Sequence, residues 1–167
     1  MYKRLPVPLD GSKLAESVLP HVQELVKQRG YETTCILLHV CEPTIITADT
    51  YGMMLTGIVP NMPAKWEDYA RLEKERCKRD GEEYLKNISG SLQSEGLKVE
   101  VKVLDGKPGD EIVKFASRNI QLIVMSTHGH SGLNRLGFPS VTEKVVMGSN
   151  TPVFLATPPA HSAHEAR

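Results

Sequence analysis

IVMSTHGHSGLNRLGFPSVTEKVVMGSNTPV, spanning residues 123–153, holds a strand, a loop and a helix start in one segment. The apolar run at its head, Ile123-Val124-Met125, reads as a buried strand. A loop with glycine at 129, 132 and 137 follows, and Ser140-Val141-Thr142-Glu143 has the spacing of a capping box that opens a helix. Such a loop turns backbone N–H groups toward open space, and the helix terminus adds partial positive charge. Together they form a seat for an anion, most often a phosphate. Pro139 stands at the start of that helix and brings no N–H to the seat.

Strand and helix patterns alternate outward from this segment in both directions. Residues 5–9 are short and apolar, and Asp10-Gly11-Ser12 ends them, with Ser12 placed as an N-cap. Residues 13–29 carry Leu14, Val18, Val22, Leu25 and Val26 at helical spacing. Residues 35–40, CILLHV, are apolar on both faces, as in a parallel sheet. Residues 43–63 show no period and are expected to be a long loop, a length usually reserved for function or disorder. Residues 64–94 predict a long amphipathic helix in which Gly81 is a weak point. A strand over 97–104 follows, then a helix opened by Pro108 with Asp110 and Glu111 in its first turn. Residues 122–125 and 152–156 supply the last two strands, and 158–167 are expected to be a disordered tail beyond a single domain over 1–157.

The order β-α-β-α-β-α-β-α-β predicts an α/β fold: an open parallel five-stranded sheet with helices on both faces. Ligands of such sheets bind beyond the carboxyl ends of the strands, where the strand order reverses. Three segments reach that crevice: Pro8-Leu9-Asp10, Val40-Cys41-Glu42, and residues 126–142.

Composition narrows the function. Twenty basic residues balance twenty acidic ones, which argues against nucleic acid as a partner. No apolar run approaches the roughly 20 residues that span a bilayer. Cys35, Cys41 and Cys77 are odd in number and widely spaced, so no disulfide framework or zinc site is expected and a reducing cytoplasmic setting fits. His39 and Cys41 alternate on one strand as a conceivable metal pair, but no third ligand is near in sequence. A histidine hydrogen-bonded in the core is the reading given to His39. Trp66 and Tyr69 are read as packing or subunit contacts.

Taken together, Val7-Pro8-Leu9-Asp10-Gly11-Ser12, Leu37-Leu38-His39-Val40, residues 122–129 (LIVMSTHG) and residues 140–145 (SVTEKV) resemble the universal stress protein family over nearly the whole chain. The resemblance implies a Rossmann-like sheet in the order 3-2-1-4-5 and a homodimer; in that order the fifth strand is a bare edge, where pairing across a two-fold axis is expected. It also implies an adenine-nucleotide site for ATP or AMP, with Mg²⁺ when ATP is bound. The site residues it implies are Pro8, Leu9, Asp10 and Val40 beside the base, and Ser126, Thr127, His128, Gly129, His130, Gly132, Ser140, Val141 and Thr142 along the ribose and phosphates. The family's ATP-binding branch carries Gly, two residues, Gly, nine residues, Gly, then Ser or Thr. Here that frame falls on Ser126, Gly129, Pro139 and Ser140 with its spacing intact.

Each candidate also has a plainer role. Asp10 can be the turn residue of Asp-Gly-Ser, and Ser140 can cap its own helix with Glu143. Arg135 and His130 can be solvated loop residues. Three functions follow: a nucleotide-binding regulatory or stress-response protein, the same fold as an interaction module without useful nucleotide affinity, or a slow ATPase. No Walker lysine, paired carboxylates or motif-placed general base favours the enzyme.

Pro139 separates the first two. One lost charge-assisted hydrogen bond costs on the order of 1.5–3 kcal/mol, or about ten- to a hundredfold in affinity. Pro139→Gly is therefore expected to tighten nucleotide binding by that factor in isothermal titration; an unchanged affinity would refute the account of the missing N–H.

Overall fold

The computed structural model describes residues 2–28, 32–45, 47–56, 65–127 and 141–157. Five strands and six helices follow one another along these residues: β1 (Arg4–Pro8), α1 (Lys13–Glu16), α2 (Leu19–Lys27), β2 (Thr34–Cys41), α3 (Ala48–Thr56), α4 (Trp66–Ser94), β3 (Lys98–Asp105), α5 (Pro108–Ala116), β4 (Ile123–Ser126), α6 (Val141–Gly148) and β5 (Val153–Ala156). Every ladder is parallel, with β2 between β1 and β3 and β4 beside β5. β1 packs against β4. No ladder joins β1 to β4 among the described residues, and the predicted single sheet is two ladders, 3-2-1 and 4-5. Gln121 bridges their amino ends, its Oε1 accepting from the N–H groups of Lys3 and Arg4, both at 3.2 Å.

The strands bury both faces, as a wound sheet requires. Cys35 and Leu37 of β2 face one core with Leu5, Val7, Val18, Val22, Leu85 and Val124. Ile36 and Leu38 face the other with Ile112, Ile123, Met125 and Val145. Helices α1, α2 and α4 cover the first, and α5 and α6 the second. β3 is an edge: its Val99, Val101 and Val103 pack inward, while Lys98, Glu100 and Lys102 alternate on the open side. Charges on an edge strand discourage further pairing.

Three expectations are corrected. The helix expected over 13–29 breaks between Glu16 and Leu19, and Pro20 sits at the first positions of the second piece. Proline lacks the N–H that would bond one turn back, and its ring crowds the carbonyl there, so the apolar period continues while the helix does not. Within residues 43–63, 48–56 are helical. Thr47 Oγ1 accepts from the Thr50 N–H at 3.1 Å and starts that helix, a cap hidden in an unpatterned stretch. Cys41 and Cys77, expected as free thiols, form a disulfide, with Cα atoms 5.9 Å apart across 36 residues of chain. Loop closure of that size restricts the unfolded chain by about 4 kcal/mol in the chain-entropy model. Cys35 stays a free, buried thiol. The tail over 158–167 lies outside the described residues, and no described helix is long and apolar enough to cross a membrane.

Gly81 is buried on α4 because an added Cβ would stand 2.7 Å from Cδ2 of His39. Gly90, on the exposed side of the same helix, has nothing within 4 Å of that position. Gly81→Ala is expected to destabilise by about 1–2 kcal/mol, overpacking outweighing helix propensity. Gly90→Ala should stabilise by about 0.5–1 kcal/mol. Urea unfolding of both variants checks the contrast, which equal shifts would contradict.

Burial raises the Cys35 thiol from its ordinary 9.0 to about 12. The Tyr84 hydroxyl is also raised, by burial first and then by its hydrogen bond to Glu16. Both groups ionise earlier in the unfolded chain, which then holds fewer protons than the folded one. Stability is complete below the unfolded values and falls as pH climbs from about 9 toward the folded values. Urea midpoints measured from pH 8 to 11 should decline, and Cys35→Ala should flatten the decline even though it lowers stability at neutral pH.

Candidate functional site

A cleft of about 420 Å³ opens at the carboxyl ends of β1, β2 and β4. β1 contributes Pro8, Leu9 and Asp10; β2 contributes Leu38, His39, Val40 and Glu42; β4 contributes Met125 and Ser126. Val141 and Thr142 come from the first turn of α6, Pro108 and Ile112 from the start of α5, and Ala15 from α1. Its size lies within the roughly 300–1,000 Å³ common to small-molecule pockets.

The turn after β1 is built by its own side chains. Asp10 Oδ1 accepts from the Ser12 N–H at 3.0 Å and from the Ser12 hydroxyl at 2.6 Å. Ser12 Oγ accepts from the Ala15 N–H at 3.0 Å, the expected cap. Gly11 takes a φ of +86°, a left-handed conformation that favours glycine. Asp10 is therefore the turn residue of the plainer reading, and it still lines the cleft.

Backbone alternation on β2 decides which groups meet the cleft. The Leu38 carbonyl accepts from the Leu9 N–H at 2.8 Å, so the backbone groups of Leu38 face β1. Two residues on, those of Val40 face the same side. The last β1–β2 pair is Pro8 with Leu38. The Val40 amide and carbonyl thus point past the end of β1, toward the cleft. The side chains of Leu38, Val40, Ile112 and Met125 belong to the core that forms its apolar wall.

The β4 side is tied to α6. The Thr142 hydroxyl donates to the carbonyls of Ser126 and Thr127, at 3.3 and 3.4 Å. The Thr127 N–H donates to the Ala156 carbonyl at 2.9 Å, which commits that amide to the β5 side. Pro8, Leu9, Asp10, Val40, Ser126, Val141 and Thr142 are thus brought to one cleft, with Thr127 at its margin. His128, Gly129, His130, Gly132 and Ser140 lie outside the described residues, as do Arg135 and Pro139.

Glu42 reaches the lining as its segment was expected to, whereas Leu38, His39, Ala15, Pro108, Ile112 and Met125 were not expected there. The strand-end rule could have found Leu38, His39 and Met125, and the helix-opening Pro108 marks where α5 meets the crevice. His39 is held as expected: its Nδ1 lies 3.0 Å from the Leu9 carbonyl. Cys77, delivered by α4, is a third metal-ligating side chain beside His39 and Cys41 that sequence proximity did not reveal. Trp66 and Tyr69 stack on each other, with ring centroids 5.6 Å apart.

Residues 1–156 match the model of the universal stress protein family. The chain belongs to the universal stress protein family. It is 31% identical over 156 residues to universal stress protein MJ0577 of Methanocaldococcus jannaschii, covering 93% of this chain and 94% of that one. Against universal stress protein YxiE of Bacillus subtilis it is 30% identical over 156 residues, covering 93% and 99%. The solved structure of MJ0577 superposes with a TM-score of 0.72 over 96% of this chain and 99% of that one, at 28% identity. A family protein from Arabidopsis thaliana, solved with AMP bound, superposes with a TM-score of 0.63 over 96% of this chain and 94% of that one, at 16% identity, and shares the fold.

Proposed function

We propose that this universal stress protein binds an adenine nucleotide, ATP or AMP, in the cleft between β1 and β4 and acts as a regulatory or stress-response protein. The observation that carries the reading is Val40. Its amide and carbonyl offer one donor and one acceptor beside an apolar wall of Leu38, Ile112 and Met125. That pair complements the adenine edge, where N1 accepts and the 6-amino group donates. The apolar wall suits the flat face of the base. Ser126 and the first turn of α6 then lie on the ribose and phosphate side, where a helix N-terminus favours negative charge. AMP in the Arabidopsis relative supports a nucleotide of this class. Mg²⁺ would accompany the phosphates of ATP rather than occupy a site of its own. Asp10 and Glu42 set acidic charge at the cleft, so the phosphates belong at the α6 end, away from them.

Pro139 favours a second reading, in which the fold persists as an interaction module of low nucleotide affinity. In both readings a homodimer paired along β5 is proposed, since β5 has a strand neighbour on one side only among the described residues and exposes Leu155.

Isothermal titration with ATP, AMP and GMP separates the readings. One adenine nucleotide per chain is expected, with GMP at least about tenfold weaker, because the guanine edge reverses the donor and acceptor that Val40 meets. Flat traces with all three would overturn the nucleotide reading in favour of the module. Equal binding of AMP and GMP would remove Val40 as the group that reads the base.

A further inference from the structure

On the other face of β2, turned from the cleft wall toward α4, three metal-ligating side chains converge. His39, Cys41 and Cys77 present ligand atoms that all lie within 4.8 Å of one another. Cys41 is buried, and His39 and Cys77 are half-buried. Two sulfurs and an imidazole are the donor set of a borderline-soft cation such as Zn²⁺. A tetrahedral ion with these bond lengths would hold its ligand atoms about 3.6–3.8 Å apart.

His39 is already set in the form that a metal requires. Its Nδ1 lies 3.0 Å from the Leu9 carbonyl. A carbonyl only accepts, so Nδ1 carries a hydrogen, which in the neutral ring leaves the lone pair on Nε2. Metal-bound histidines are commonly oriented in this way, by donating the other ring N–H to a backbone carbonyl. Gly81 makes room at the ring's far edge: a Cβ there would stand 2.7 Å from Cδ2, the carbon next to Nε2. Cys77 is four residues before Gly81 and shares its helix face, so the gap that admits the ring also brings it beside the thiol. Glu42 adjoins Cys41, and Lys74 precedes Cys77 by one turn. Both line a surface notch of about 320 Å³, with Asp105.

We propose that, once the Cys41–Cys77 bond is reduced, His39 Nε2 and the thiolates of Cys41 and Cys77 bind one Zn²⁺, with the fourth position open to water. The disulfide and the metal site are alternative states of the same two sulfurs. A dithiol breaks the S–S bond by exchange and leaves as its own disulfide, giving two thiols; a phosphine supplies the two electrons, water supplies the two protons, and the phosphine oxide forms. Zn²⁺ then displaces two thiol protons, and no electron moves in that step. In the oxidised protein the sulfurs are not thiolates and hold no ion. The site does not depend on nucleotide binding.

The test uses the full chain, reduced with a phosphine without air and freed of excess reductant. Zn²⁺ is titrated against a chromogenic chelator, and Co²⁺ serves as a spectroscopic stand-in. The reduced protein is expected to take one Zn²⁺ per chain and to give a thiolate-to-cobalt absorption band. The oxidised protein should take none. Cys77→Ser and His39→Gln should each bind at least about tenfold more weakly, while Cys35→Ala should bind as the parent does. Zinc-edge X-ray absorption of the unmutated reduced protein should count two sulfur neighbours and at least one imidazole nitrogen, a readout that needs no variant to fold. Equal Zn²⁺ binding by oxidised and reduced protein, an ion coordinated without sulfur, or unaltered binding by Cys77→Ser would each overturn the proposal.

Discussion

Strand β2 is the constraint on which the rest of the molecule depends. It is paired on both edges, to β1 and β3, and its residues 35–38 are fully buried. A parallel strand buried on both faces has no freedom to slip, because a shift of one residue would exchange its two cores. The register therefore fixes which side chains meet α4 and which meet α5. It also fixes where β2 outruns β1: the last pair is Pro8 with Leu38, and β2 continues to Cys41. The base side of the cleft and the His39, Cys41 and Cys77 cluster both lie at that overhang.

The overhang sends its groups in different directions. Side chains alternate, so Val40 joins the α5-side wall while His39 and Cys41 turn to α4. Backbone groups alternate too, and those of Val40 face the space that β1 leaves. One short run, His39-Val40-Cys41, thereby serves two environments, and His39 borders both. Leu9 is the link between them: its carbonyl accepts from His39 while the residue itself lines the cleft.

Much of this was legible in the sequence, for a physical reason. Apolar periods of two and 3.6 residues reflect burial directly, so the five strands, α4, α5 and the start of α6 fall where the pattern places them to within a residue or two. The crevice follows from strand order, and it gathers seven of the expected residues from three segments. What escaped was local chemistry that overrides a period. Pro20 interrupts a helix whose apolar stripe runs on, and Thr47 caps a helix whose interior has little amphipathic pattern. The pairing of Cys41 with Cys77 escaped for another reason: 36 residues separate them, and only the docking of α4 on β2 brings them together. Gly81 was legible as a weak point in a helix but not as the gap that receives a histidine ring, because its meaning lies in a neighbour 42 residues away.

The same geometry bears on why the degenerate glycine frame need not decide the function alone. A nucleotide site of this architecture has two halves that are built separately. The base half rests on the β2 overhang and the α5 wall, and these are rigid because they are extensions of the core. The phosphate half of the proposed site would rest on the α6 terminus. Replacing glycines at Ser126 and Pro139 affects only the second half. The adenine recognition proposed for Val40 involves neither position, and Thr142 still anchors α6 to the end of β4 through the Ser126 carbonyl. A loss confined to the phosphate half weakens ATP more than it weakens adenosine. The ratio of those two affinities, rather than the affinity for ATP itself, is thus the quantity in which the effect of Pro139 is isolated from the quality of the fold.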